Sequence, residues 1–137
     1  MAQDVESKVK TLCFLLLMLL APAYAEDVKP SKLNIDFLCQ HWIHAREEEQ
    51  GNGVQIYQPS TLKKFPLSRF RMQYIFAKEG MCKWMFLSPV DAHQLKDGKW
   101  KIDDRGLQII KGEATESCKV MELTKDTLKL KPLPAAK

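Results

Sequence analysis

Short runs of alternating apolar and polar residues, separated by turn residues, fill the chain from residue 42 to residue 131. The clearest is 68–77, where Phe70, Met72, Tyr74 and Phe76 share one face. A period of two predicts strands of antiparallel sheet. The runs are 42–49, 54–57, 68–77, 81–87, 99–102, 107–111, 117–123 and 127–131. The chain is therefore predicted to be all-β.

Mostly tight turns join these runs, which predicts an up-and-down order of strands. Such a sheet is stable only if its apolar face is covered, and closure into a barrel covers that face and removes the exposed edges. Before the first run, Ser31 is a candidate cap for a short helix ending at Leu38. We therefore expect a small eight-stranded antiparallel up-and-down barrel with a short N-terminal helix. Its interior would be filled by side chains or hold one small ligand.

The first 25 residues have the pattern of a secretory signal peptide. Lys8 and Lys10 precede an apolar run at 12–20, and Ala23-Tyr24-Ala25 is a small-x-small cleavage pattern. The apolar run is shorter than the roughly 20 residues of a membrane-spanning helix. The prediction is a secreted or periplasmic protein that does not span the membrane after cleavage. It divides into a signal peptide at 1–25, a lead-in with the helix at 26–37, the barrel at 38–132 and a flexible tail at 133–137.

Charge and cysteine content narrow the function classes. The net charge is +4, and basic residues lie among acidic ones, which argues against a nucleic-acid partner. Export permits disulfides, but Cys39, Cys82 and Cys118 are an odd number. We prefer a Cys82–Cys118 disulfide because both residues lie in predicted strands, and three buried thiols remain an alternative. No motif calls for a cofactor.

The best cluster of polar candidates lies on the predicted inner face. If Trp42 points inward, alternation places His44, Arg46 and Glu48 inward as well. Arg69 and Arg71 begin the third run and can bind carboxylates as two-pronged donors. One reading is an internal salt-bridge network between Glu48 and either arginine. The other is a ligand pocket in which the arginines hold an anionic head group. The predicted ligand-binding residues are His44, Arg46, Glu48, Arg69, Arg71, Tyr74 and Trp84.

Catalytic and metal-binding patterns are weak. Asp91 and His93, together with His41 and His44, match no zinc spacing that we recognise, and we read Asp91 and His93 as loop residues. No nucleophile elbow or phosphate loop occurs. The sequence therefore predicts a protein that is not an enzyme. A small hydrolase or isomerase using His44 or His93 is the less favoured alternative.

The segment Leu38-Cys39-Gln40-His41-Trp42 resembles the Leu-x-Gly-x-Trp start of lipocalin-like proteins, with Gln40 in place of the glycine. A longer series in the same order resembles small secreted lipocalin-like domains of bacteria and covers 38–132. Its members are Glu47-Glu48, Tyr57-x-Pro59, Phe65-Pro66-x-Ser68-Arg69-x-Arg71, Phe76, Gly80, Pro89-x-Asp91, Gly98-x-Trp100, Glu122-Leu123 and Leu128-x-Leu130. The resemblance implies a lipocalin-like barrel.

Two functions follow as expectations. The first is non-enzymatic binding of a hydrophobic or anionic amphipathic small molecule. The alternative is a filled barrel that acts as an interaction module for another protein or an envelope component. A cavity would favour the first and a solid core the second.

Overall fold

Eight strands follow a single helical turn in the part of the chain that the computed structural model describes, residues 32–90 and 92–135. The helix, α1, is Ile35–Leu38, and the Asn34 side chain caps it by accepting a hydrogen bond from the Asp36 backbone N–H. The strands are β1 (His41–His44), β2 (Gln55–Pro59), β3 (Gln73–Phe76), β4 (Met81–Leu87), β5 (His93–Asp103), β6 (Gly106–Lys111), β7 (Ala114–Leu123) and β8 (Leu128–Pro132). Short 3-10 helices follow β1 at Arg46–Glu48 and precede β4 at Lys78–Gly80.

The strands close into an antiparallel barrel in the order β1-β2-β8-β7-β6-β5-β4-β3. From β3 to β8 each strand pairs with the next, which confirms the predicted up-and-down order for that part. The first hairpin departs from it, because β1 pairs with β3 and β2 pairs with β8. An up-and-down barrel, the order of lipocalins, would close β1 against β8. The eight-stranded antiparallel barrel is therefore confirmed, and the predicted order was wrong for β1 and β2.

Residues 60–72, which we call the crossover segment, make this order possible. β2 and β3 run in the same direction on either side of β1, so the chain between them must return along β1. It starts where the Ser60 N–H donates to the His41 carbonyl and ends where the Met72 carbonyl accepts from the His44 N–H. The sequence predicted a loop only at 60–67.

Aromatic side chains fill the barrel interior. Trp42, Tyr57, Tyr74 and Phe76 are each at most 2% exposed. The ring centroids of Tyr57 and Tyr74 are 5.5 Å apart and those of Tyr74 and Phe76 are 5.6 Å apart. Phe76 then meets Trp100 edge-on at 6.1 Å. Along this column the interior is packed by side chains, which is one of the two outcomes that eight strands allow.

The two ends of the barrel differ in chemistry. α1 covers the end where β1 begins: Leu38 is 1% exposed, and its carbonyl accepts a hydrogen bond from Trp42 Nε1 at 2.9 Å. At the opposite end β1, β4, β6 and β8 finish while the other four strands begin. His44, Lys111 and Glu116 face inward there. We call this second end the charged end.

Predictions for the chain termini fall largely outside the described residues. These are the signal peptide at 1–25, the lead-in at 26–31 with Ser31 as a cap, and the last two residues of the tail. The tail begins bound to the barrel, because the Leu133 N–H donates to the Ser117 carbonyl. Among the residues that are described, none belongs to a helix long and apolar enough to cross a membrane.

The predicted strand at 42–49 was too long. β1 ends at His44, and the following 3-10 helix places Arg46 and Glu48 in solvent rather than on the inner face. The physical reason is the run of charged residues after the buried Ala45. Burying unpaired charges is costly, so the chain turns outward at that point.

The predicted strand at 68–77 was also too long. β3 is Gln73–Phe76, and the residues before it belong to the crossover segment. β1 has only four residues, so a longer β3 would have no partner on that side. Residues 68–72 alternate between apolar and polar as a strand would, but no neighbouring strand pairs with them.

The fifth strand is longer than predicted, His93–Asp103 rather than 99–102. Its first half is mostly polar and was assigned to a loop. β5 nevertheless pairs with β4 from His93 to Lys99, whereas β6 joins it only from Lys99 onward. The end of β4 and the start of β5 therefore form a two-stranded ribbon that continues past β6.

Candidate functional site

Arg71 binds the end of the crossover segment to the residues around the end of β1. Arg71 binds the carboxylate of Glu47 through both terminal nitrogens, at 2.9 and 2.6 Å, and donates to the His44 carbonyl at 2.7 Å. This bond to Arg71 is the main cause that lowers the pKa of Glu47 to about 2. Arg69 is exposed. An arginine–glutamate pair therefore forms as one reading expected, but with Glu47 instead of Glu48.

Two further predicted residues also lie outside the barrel. Glu48 pairs with Lys63 of the crossover segment at 2.9 Å. Arg46 donates to the Phe70 carbonyl at 3.0 Å. Arg46, Glu48, Arg69 and Arg71 are thus not brought together with Tyr74 and Trp84 in one pocket.

Lys111 and Glu116 form the centre of the charged end. The Lys111 ammonium lies 2.6 Å from the Glu116 carboxylate and 2.9 Å from the Tyr74 hydroxyl, and the side chain is 14% exposed. It also lies over the rings of Tyr74 and Trp84, at 5.0 and 5.4 Å from their centroids. The turn between β6 and β7 sets Lys111 opposite Ala114 and so brings Glu116 within reach.

His44 occupies the other side of the charged end. Its ring stacks on Tyr57 with centroids 5.0 Å apart, and its Nε2 contacts the carboxylate of Glu49. Glu49 also accepts a hydrogen bond from the Ile56 backbone N–H. The pairing is a consequence of the 3-10 helix, which turns the chain back so that Glu49 returns over the end of β1.

Burial governs the titration of the hydroxyls and thiols between these two pairs. Desolvation, reinforced by the nearby Glu116 carboxylate, raises the pKa values of Tyr57 and Tyr74 far above their ordinary value. The same two causes raise the pKa of Cys118 to about 12. These groups therefore stay neutral and protonated at physiological pH.

The expected disulfide is not formed. Cys82 and Cys118 are both buried and both free, as is the half-buried Cys39. Cys118 lies at the β7 position paired with Leu107, whereas Cys82 pairs with Gly98 at the start of the ribbon. The structure is nearer to the alternative of three buried thiols, except that Cys39 is only half-buried.

The histidines do not converge. His41 Nε2 forms a hydrogen bond with Gln73 Oε1 at 2.7 Å. The rings of His93 and Phe70 meet edge-on, with centroids 5.7 Å apart. Asp91 is outside the described residues. Within the described part of the chain, no group of three or more histidine, cysteine or acidic side chains is arranged to hold a metal ion.

A partly exposed aromatic surface lines the inner face of the ribbon. We call it the aromatic wall; it consists of Trp84, Phe86 and Lys96. Trp84 and Phe86 meet edge-on with centroids 5.7 Å apart, and the Lys96 ammonium lies 3.7 Å from the centre of the Phe86 ring. Trp84 and Lys96 are directly paired across β4 and β5, so they share a face. All three residues are half-buried.

Of the predicted site residues, His44, Tyr74 and Trp84 lie at the charged end. Sequence reasoning missed Lys111, although alternation with the apolar Leu107 and Ile109 in the predicted strand 107–111 already placed it on the inner face. It missed Lys96 because residues 88–97 were assigned to a loop. Comparison of the chain with protein-family models, curated proteins and solved structures found no match.

Proposed function

We propose that the protein binds a hydrophobic or amphipathic small molecule at the charged end of the barrel, without transforming it. The observation that carries this proposal is the aromatic wall, two partly exposed rings on a ribbon that continues past β6. Small-molecule sites combine apolar and aromatic surface with a few placed polar groups. Tyr57 and Tyr74 fill the interior beneath, so the ligand would lie at the barrel end rather than deep inside.

The proposal includes export and a lipocalin-like relationship. The signal-peptide pattern at 1–25 supports a secreted or periplasmic location. The motif series supports membership of the small secreted lipocalin-like group, and the order of β1 and β2 argues against it. Neither is needed for the binding site, which depends only on described residues.

One observation favours an interaction module as the second candidate. The aromatic column fills the interior, and Leu67 of the crossover segment and Val90 at the tip of the ribbon are 103% and 83% exposed. An apolar side chain in solvent is ordinary when isolated. Two such strongly exposed apolar side chains would suit a protein partner rather than a small molecule.

Native mass spectrometry of protein purified gently from an exporting host tests the first candidate. A bound mass that is lost on denaturation supports a carrier and begins to identify its ligand. Titration with decan-1-ol, followed by NMR shifts of the aromatic wall, then locates the site. Absence of both signals would overturn the binding proposal and favour the interaction module.

Phe86→Ala and its control Phe65→Ala make the titration specific. Burial of one aromatic side chain contributes about 1.5–3 kcal/mol, so Phe86→Ala should weaken decanol binding about tenfold or more. Phe65 also lies beneath cations, Lys63 and Arg71, but on the crossover segment. Its replacement should leave decanol binding unchanged. Equal losses in both variants would show that the wall is not the site.

A further inference from the structure

Among the described residues, Lys96 is an inward-facing cation without a carboxylate partner. Lys111 has Glu116 as a partner, and on the outer face of the same ribbon Lys83 has Asp97 at 2.7 Å. For Lys96, no ion pair forms within the described residues, and its ammonium lies over the Phe86 ring instead. A ring face attracts a cation more weakly than a carboxylate does. The aromatic wall therefore offers a positive charge that is available to an anion.

The indole of Trp84 offers a donor beside it. Two of the chain's three tryptophans have internal acceptors: Trp42 Nε1 donates to the Leu38 carbonyl and Trp100 Nε1 to the Ala77 carbonyl. Trp84 Nε1 is buried and has no hydrogen-bond partner. An indole N–H can only donate, and leaving it unpaired is unfavourable. An acceptor atom supplied by a ligand would satisfy it.

Gly98 brings the indole close to β5 near Lys96. A Cβ at position 98 would lie 3.1 Å from Trp84 Cδ1, the carbon bonded to Nε1. Lys96 and Gly98 are two positions apart on β5, so they share a face. The nitrogen-bearing edge of the indole therefore lies beside Gly98, two positions along β5 from Lys96. The Lys111 ammonium lies 5.4 Å from the centroid of the same Trp84 ring.

We infer that Lys96 and Trp84 Nε1 bind the anionic oxygens of an amphipathic ligand's head group, a carboxylate or a phosphate monoester, while its apolar part lies on Phe86. The inference rests on the proposed binding function and names its ligand class. Hydrogen bonds with ionised groups are roughly twice as strong as neutral ones. The charge of the head group should therefore decide which amphiphiles bind.

Ligands of equal chain length and different head group test this. We expect decanoate to bind the protein at least tenfold more tightly than decan-1-ol in calorimetric titration. In NMR spectra, decanoate should shift the indole N–H resonance of Trp84 and leave those of Trp42 and Trp100 in place. Decyl phosphate, titrated in parallel, distinguishes the two head groups. The anion that binds more tightly shows whether the site prefers a carboxylate or a phosphate monoester.

Lys96→Gln and the control Lys83→Gln complete the experiment. Lys96→Gln should abolish the preference for decanoate and leave decanol binding unchanged. Lys83→Gln, on the outer face next to Trp84, should preserve the preference. If decanol and decanoate bind equally, or Lys96→Gln keeps the preference, the head-group inference is wrong while the binding function stands. If neither ligand binds, the proposed function itself fails.

Discussion

Gly106, at the start of β6, lies close to the backbone of β7. A Cβ at this position would lie 2.4 Å from the Cys118 carbonyl oxygen, and the residue has a φ of +118°. Only glycine adopts this conformation readily. Here both the space and the dihedral angle require it.

Gly106→Ala should therefore destabilise the fold by about 3 kcal/mol or more, since backbone strain of 1–3 kcal/mol adds to a clash with backbone. Gly112→Ala is the matched control. Gly112 also has a positive φ, +63°, but nothing lies within 4 Å of its added Cβ, so about 1 kcal/mol is expected. Urea unfolding followed by circular dichroism measures both. Equal losses would mean that the dihedral angle alone, and not the close approach, sets the requirement.

The Glu47–Arg71 pair makes part of the unfolding free energy depend on pH in the acidic range. Arg71 lowers the pKa of Glu47 from 4.5 to about 2. Because the folded-state pKa lies below the unfolded one, the pair stabilises the fold above pH 4.5, and this contribution is lost as the pH falls towards 2. Glu47→Gln should therefore flatten the dependence of the unfolding free energy on pH over that window.

Urea unfolding at several pH values between about 5 and 2 tests this. Glu113→Gln, at an exposed residue of the β6–β7 turn, is the control and should follow the unsubstituted protein. If the Glu47→Gln and unsubstituted curves run parallel, Glu47 does not contribute to acid unfolding.

At the scale of single elements, α1 stabilises the barrel by covering one end. Leu38 is 1% exposed and its neighbour Phe37 is 37% exposed. Leu38→Ala should destabilise the protein by about 2–5 kcal/mol because it leaves a cavity over Trp42. Phe37→Ala, on the same helical turn, should lose less than about 1 kcal/mol. Denaturant unfolding compares the two, and similar losses would show that α1 contributes no specific packing.

The ends of a strand can be predicted from the sequence where turn residues set them, and cannot where the length of the partner strand sets them. β4 lies where it was predicted, at 81–87, because Gly80 ends one side and the turn at Ser88 ends the other. β1 and β3 were overextended because alternation along one strand contains no information about the length of its partner. The length of β5 was underestimated because its polar first half is stabilised by pairing with β4. Hydrophobic periodicity along one strand does not show such pairing.

The site shows the same limit. Alternation correctly placed His44 on the inner face and Tyr74 on the same face as Phe76, because each lies within a strand that formed. Arg46 and Glu48 were misplaced because the strand assumed for them ends at His44. Polar contacts across the barrel, such as the hydrogen bond from the Lys111 ammonium to the Tyr74 hydroxyl, join residues far apart in sequence, and no local pattern predicts them.

At the scale of the whole molecule, the order of strands could not be predicted in full. Tight turns connect β3 through β8 and leave each strand beside the next. The crossover segment removes that constraint for β2 and β3, because a long connection does not require the two strands that it joins to pair with each other. β2 therefore pairs with β8, and Gln55 lies opposite Leu130.

This pairing makes β8 the strand that closes the barrel. β8 lies between β7 and β2, and Leu128 and Leu130 are 0% and 1% exposed. A chain ending at Asp126 should therefore lose cooperative unfolding, since it would expose the edges of β2 and β7 along with the core. A chain ending at Leu133 keeps β8 and the bond to Ser117, and its unfolding free energy should lie within about 0.5 kcal/mol of that of the full chain.

Urea unfolding followed by tryptophan fluorescence compares the two shortened chains with the full chain. Cooperative unfolding of the shorter chain with an unchanged m-value would show that a seven-stranded open sheet is stable by itself and that closure is not what stabilises this fold.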